Sequence, residues 1–307
     1  MELTADHHSH HHIQLDVQHH THTRVGRIDL VQLEPEGKVH RRRLAADYLN
    51  PLRLNAIDDA HRGRETLNLE RAGIFGCLPT LNAILQDRRE VIEAAIEGLN
   101  RSDFSAELIL CCMRGTDNHE ANLETVKLAK DYIGKGVCCI DIAGAEALFP
   151  TENFGDLFAL AREEGTPFTI HAGEADGPKS VWKALEYGTK RLGHGVRSLE
   201  DPKLIEKIVA EGITLEVCPT SNIHTCMFPS IEEYPLRKLM DAGVKVTINT
   251  DNMTVSNINL AKEYGKLIAA FDLTDEEIKG FAKNAVNACF ASEEKKKELL
   301  EKIEAAV

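Results

Sequence analysis

From about residue 90 to the end, short apolar runs alternate with longer stretches whose apolar positions recur every three or four residues. Runs of four to seven apolar residues predict buried strands, and the 3.6-residue recurrence predicts amphipathic helices. Strands are expected at 108–113, 136–142, 167–171, 191–196, 214–218 and 244–249. Helices are expected at 90–99, 123–132, 153–164, 181–187, 202–211, some of 231–242, 260–270, 274–288 and 292–306. In the first helix the apolar set is Val91, Ile92, Ala95, Ile96 and Leu99. Strand and helix in turn, with short connections, imply parallel strands joined by helical crossovers. A doubly wound sheet satisfies that pattern. A (β/α)8 TIM barrel fits better, with two further strands from residues 14–22 and 73–78.

Polar residues gather directly after the strands. One strand runs into His171-Ala172-Gly173-Glu174 and the next into His194-Gly195. The following pair end in Cys218-Pro219-Thr220-Ser221-Asn222 and in Thr250-Asp251-Asn252. In a (β/α)8 barrel these strand ends converge on one face, where active sites form. Each residue has a plainer reading alone. His171 fits a hydrogen-bonded core histidine, Asp251 a helix N-cap, and Glu174 a first-turn carboxylate at a helix N-terminus. His194 fits a turn between two glycines, Asn252 an exposed loop, and His224 a structural role. Four polar tips on successive strands make the functional reading the stronger one.

Composition changes one region of this picture. Residues 1–90 hold eleven Arg and one Lys, whereas 91–307 hold six Arg and eighteen Lys. Ten of the fourteen His precede residue 62. The expected division is therefore an atypical His/Arg-rich segment, residues 1–90, and the remainder of a single barrel domain, residues 91–307. The net charge of −13 argues against nucleic acid or an anionic membrane as the main partner. The His-rich start lacks the apolar stretch of a signal peptide. Eight Cys, most inside apolar runs and none in a CxxC pair, read as buried reduced thiols. A cytoplasmic protein is the expectation, and oligomeric state is not legible.

Six segments then resemble the adenosine deaminase family of the amidohydrolases. They are Leu108-Ile109-Leu110-Cys111-Cys112-Met113-Arg114, Asp141-Ile142-Ala143-Gly144, and Thr169-Ile170-His171-Ala172-Gly173-Glu174. The rest are Arg191-Leu192-Gly193-His194-Gly195-Val196-Arg197, Cys218-Pro219-Thr220-Ser221-Asn222 and Asn249-Thr250-Asp251. The match extends over about residues 90–290. The resemblance implies hydrolytic deamination of adenosine and 2′-deoxyadenosine, and one Zn²⁺ per chain held by a His-x-His pair, a third His and an Asp. His171 matches the third His and Asp251 the Asp, donor types suited to zinc. Glu174 matches the proton donor to purine N1. His194 matches the residue that orients the attacking water, and Asp251 also takes that water's proton. Gly144 matches a backbone N–H donor to N3. Asn252 stands where many family members carry a second Asp facing N7, and its NH₂ donates without needing protonation. A small purine nucleoside is the implied partner.

The first strand departs from the family pattern. His20 and His22 have the spacing that lets two strand residues face one ion. Thr23, Arg24, Val25 and Gly26 follow, where the family carries an Asp against the ribose. Three readings stay open: His20 and His22 are the ligands, another pair among His8, His10 and His12 serves, or this segment is non-native and the zinc site incomplete. Two rival functions follow: a catalytically impaired purine-binding relative, and a protein that sequesters metal on its His-rich start. The H-x-E and P-C-x-x-C ligands of cytidine-type deaminases are absent, which argues against base editing.

Overall fold

The computed structural model describes residues 88–101 and 105–305. Six strands lie among them: β1 Leu108–Met113, β2 Val137–Ala143, β3 Ile170–Ala172, β4 Arg191–His194, β5 Thr214–Val217 and β6 Lys245–Ile248. All their pairings are parallel. β1 pairs with β2, and β3 to β6 follow one another in a second ladder. A parallel bridge between Ile140 and Phe168 joins the two. Strand order therefore equals chain order with no reversal. A doubly wound sheet reverses at a switch point, so this is the barrel arrangement and not the alternative.

The helices are α1 Arg88–Asn100, α2 His119–Tyr132, α3 Gly155–Glu164, α4 Pro178–Glu186, α5 Pro202–Ala210, α6 Pro219–His224, α7 Leu236–Asp241, α8 Met253–Ser256, α9 Leu260–Phe271, α10 Asp275–Ala288 and α11 Glu293–Ala305. Local chemistry sets several starts. Pro202 opens α5 behind Asp201, whose carboxylate accepts from the N–H of Lys203 at 2.9 Å and of Leu204 at 3.4 Å. Thr274 and Glu277 form a reciprocal capping box on α10. The strands carry the core: β5 is buried throughout, and β2 is buried except at its last residue. Near-continuous burial is what strands covered on both faces require. Arg191 and Glu216 form an ion pair among these strands, with the Arg191 guanidinium 4.6 Å from the Phe290 ring centre.

The predicted elements recur with shifted ends. The stretch 153–164 divides into a 3-10 turn, Thr151–Phe154, and α3. The strand expected at 191–196 stops at His194, because Gly195 turns left-handed and a second 3-10 turn, Val196–Glu200, begins. The strand expected at 214–218 stops at Val217, because Pro219 opens α6. Strands at 14–22 and 73–78, and nearly all of the atypical segment before residue 91, lie outside the described residues. Five of the seven described thiols are buried and one, Cys226, is exposed, a correction to the uniform reading. Desolvation pushes the Cys112 and Cys139 thiols up. No described helix is long and apolar enough to cross a membrane.

Candidate active site

Three carboxyl-terminal strand tips meet in space. His194 at the end of β4 places Nε2 3.4 Å from Glu174 Oε2, two residues past β3. The same Nε2 lies 4.0 Å from Asp251 Oδ2, three residues past β6. His171, on β3, sits edge-to-face with His194, ring centres 5.1 Å apart. β3 pairs directly with β4, and β6 follows through β5, so the parallel ladder carries these four side chains to the same end of the sheet.

Backbone detail adapts each tip. His171 lies in register with Gly193 of β4. A Cβ on Gly193 would stand 2.7 Å from His171 Nδ1 and 2.8 Å from its Cγ, so the missing side chain makes the imidazole's space. His194 and Asp251 take the left-handed conformation, with φ 60° and 55°. Such residues cost about 1–3 kcal/mol each and persist where surrounding structure over-determines them. Gly144, just past β2, has φ 109°, a value that strains any side chain.

A shell of partners orients the four. Asp141 Oδ2 lies 2.7 Å from His171 Nδ1. Its other oxygen accepts from the N–H of Ile142 at 2.7 Å and of His171 at 3.1 Å. With Nδ1 turned to a carboxylate, the His171 Nε2 lone pair is left for an electrophile. The Asn222 amide NH₂ reaches His194 Nδ1 at 3.1 Å and Glu174 Oε1 at 3.4 Å, while its Oδ1 accepts from Tyr234 Oη at 3.2 Å. A carboxylate on one side and a hydroxyl donor on the other select this amide orientation. His194 Nδ1 is then the acceptor and Nε2 carries the proton, aimed between Glu174 and Asp251. Burial pushes the Tyr234 phenol well up, so it stays a donor. Ser221 Oγ donates to Asp251 Oδ2 at 2.6 Å.

Sequence pattern assigns no individual role to Ser221 or Asn222 and predicts no helix where α6 carries them. Pro, Thr, Ser and Asn are weak helix formers, and the helix is held from outside. Glu263 on α9 accepts from Thr220 N at 2.7 Å, and Lys266 donates to Thr220 Oγ1 at 3.0 Å. Glu263 is fully buried, and its Oε2 has no hydrogen-bond partner among the described residues. Burial pushes its carboxyl up, against the opposing pull of the Thr220 bonds. A carboxyl raised on folding contributes most below its unfolded range, about pH 4.3, and that contribution is lost as pH rises through the folded value. Glu263→Gln is therefore expected to raise stability at pH 7 by about 1 kcal/mol, or roughly 2–4 °C in Tm. The gain should shrink toward pH 4. A Tm difference that does not change between those pH values would contradict the assignment.

The remaining expected residues are more scattered. Asn252 caps α8, its Oδ1 accepting from Val255 N at 3.0 Å. The N-cap read for Asp251 thus falls one residue later, and the Asn252 NH₂ remains available. His224 is exposed and bonds Ser256 Oγ at 3.2 Å. His20 and His22 lie outside the described residues. Among the described residues no group of three or more His, Cys, Asp or Glu converges to hold a metal ion.

A parallel barrel with its polar side chains gathered at the carboxyl ends of the strands is the layout of a barrel enzyme. The family model for adenosine deaminase matches residues 83–306. The chain belongs to the adenosine deaminase family. An adenosine deaminase of Haemophilus ducreyi is 45% identical over 225 residues, 71% of this chain and 65% of that protein. One from Clostridium acetobutylicum is 38% identical over 223 residues, covering 71% and 66% of the two chains. This chain thus spans just under two thirds of the length of these relatives. Among solved structures, an adenine deaminase of Arthrobacter aurescens superposes with a TM-score of 0.69 at 23% identity, covering 83% of this chain and 81% of that one. The N6-methyl-AMP deaminase of Arabidopsis thaliana gives 0.65 at 27%, covering 72% and 68%.

Proposed function

We propose that the protein hydrolyses adenosine and 2′-deoxyadenosine, with water, to inosine or deoxyinosine plus ammonia. The observation that carries this is the meeting of Glu174, His194 and Asp251 around one Nε2, within 3.4 and 4.0 Å. In this reading the Glu174 carboxyl gives a proton to purine N1, which makes C6 electrophilic. His194 Nε2–H holds the attacking water. Asp251 takes that water's proton. The Gly144 N–H donates to N3, and the Asn252 NH₂ to N7. The proton held by Asp251 then passes to the C6 amino group, the C6–N bond breaks to release ammonia, and the C6 hydroxyl proton returns to Glu174 as the carbonyl of the product forms.

The donor set fits a portion of a zinc site: His171 Nε2 and an Asp251 oxygen, with His20 and His22 as the proposed remainder. Such an ion, when bound, supplies Lewis acidity that makes water nucleophilic at neutral pH. Asp141 then serves as the orienting carboxylate behind His171. Asp141→Asn is expected to weaken zinc affinity about 10–100-fold, measured by competition with a chelator. Unchanged affinity would separate Asp141 from any metal.

The test of the reaction is ammonia release with loss of adenosine absorbance by the purified, zinc-supplied protein. Adenosine left untouched would overturn the proposal. The run Thr23-Arg24-Val25-Gly26, where the family carries a ribose-binding Asp, favours one second reading, a purine-binding relative with an incomplete site. One tightly held zinc per chain excludes it, and no zinc supports it.

A further inference from the structure

The loop that carries Glu174 is gathered onto one buried carboxylate that the reaction does not use. Glu146, only 3% exposed, follows Gly144 by two residues. Its Oε1 accepts from Gly173 N at 2.7 Å and from Ser180 Oγ at 2.6 Å. Its Oε2 accepts from the N–H groups of Glu174, Ala175 and Asp176 at 3.0, 2.8 and 3.0 Å. Four consecutive backbone donors thus close on a single side chain. A carboxylate presents about four acceptor sites and no donor, so it alone among side chains of this length satisfies such a cluster.

A buried cation holds the other end of the same tip. Arg114, 5% exposed, donates to the His171 carbonyl at 2.6 Å, to the Phe149 carbonyl at 2.6 Å and to Thr151 Oγ1 at 3.1 Å. Thr151 Oγ1 lies 2.6 Å from Ser180 Oγ. Each hydroxyl has one proton, which sets the direction. Arg114 donates to Thr151, Thr151 to Ser180, and Ser180 to Glu146. The chain runs from guanidinium to carboxylate and brackets residues 171–176.

We propose that Glu146, tied through Ser180 and Thr151 to Arg114, is a positioning residue that sets the Glu174 carboxyl against His194. This rests on the role given to Glu174 above. Gln at 146 turns an NH₂ toward either two or three of the five donors, leaving them unpaired, and the tip relaxes. A misplacement of about 1 Å costs on the order of 10²-fold in rate.

The experiment is a double-mutant cycle in the full chain with Glu146→Gln and Glu174→Gln, read by kcat and KM for adenosine. Glu146→Gln is expected to lower kcat about 10²-fold with KM nearly unchanged, and to have almost no further effect once Glu174 is already Gln. Equal losses in both backgrounds would mean general structural damage and overturn the proposal. Amide hydrogen exchange at residues 173–176 reads the same loop without activity. Faster exchange in Glu146→Gln is expected, and unchanged exchange would overturn the proposal even if the parent protein proved inactive toward adenosine. Should Glu146→Gln fail to fold, Ser180→Ala, which removes one of the five donors, decides. A smaller kcat loss that again disappears with Glu174→Gln supports the clamp, and no loss refutes it.

Discussion

Glu174→Gln is expected to lower kcat for adenosine about 10²–10⁴-fold, the range for loss of a positioned acid, with little change in KM. Gln keeps the length and planarity of the side chain but carries no proton of useful acidity for purine N1. It also meets donors on both sides: Asn222 Nδ2 at 3.4 Å from Oε1 and His194 Nε2 at 3.4 Å from Oε2. Its NH₂ must face one of them, which adds a local mismatch to the lost proton. Steady-state ammonia release checks the rate. Zinc content and Tm, both expected near the parent values, show that the effect is chemical. A loss of less than tenfold would remove Glu174 from proton transfer.

Asp251→Asn tests the other side of the cluster. Asp251 sits at φ 55°, a left-handed conformation that Asn adopts as readily as Asp. Ser221 Oγ, 2.6 Å away, can still donate to the amide oxygen. The change therefore removes charge and basicity while keeping shape and backbone. Two losses follow from the proposed roles: a weaker metal ligand, and no acceptor for the water's proton. Together they predict a fall in kcat/KM of at least about 10³-fold. Excess zinc should restore occupancy without restoring the rate, because the proton acceptor stays absent. Elemental analysis beside the activity assay separates the two. Full activity at saturating zinc would leave Asp251 as a metal ligand only.

Which of these residues can be noticed along the chain depends on the kind of signal each leaves. His171, His194 and Asp251 lie at or just past the ends of expected strands, and polar residues clustered at successive strand ends are visible in the sequence. The orienting residues leave no such mark. Asp141 sits inside a buried strand, Asn222 in a helix of weak formers, and Glu146 in a connecting loop. Asn222 acts on His194 across 28 positions and Glu146 on Gly173 across 27. Hydrogen bonds at such separations have no periodicity to read. The α6 helix escapes the sequence pattern for the same reason, since Glu263 on α9 anchors it from 43 positions away.

Residue pattern was enough to establish the alternation of strand and helix, the parallel architecture it entails, and the polarity of the strand tips. Those properties follow from local periodicity and from burial of apolar runs. Folding in three dimensions added the unbroken sequential order of the strands and the meeting of three tips at one imidazole nitrogen. It also settled which buried groups lock those tips in place. Convergence is a property of the parallel, sequential arrangement, since residues far apart in the chain become neighbours only once the strands are laid side by side.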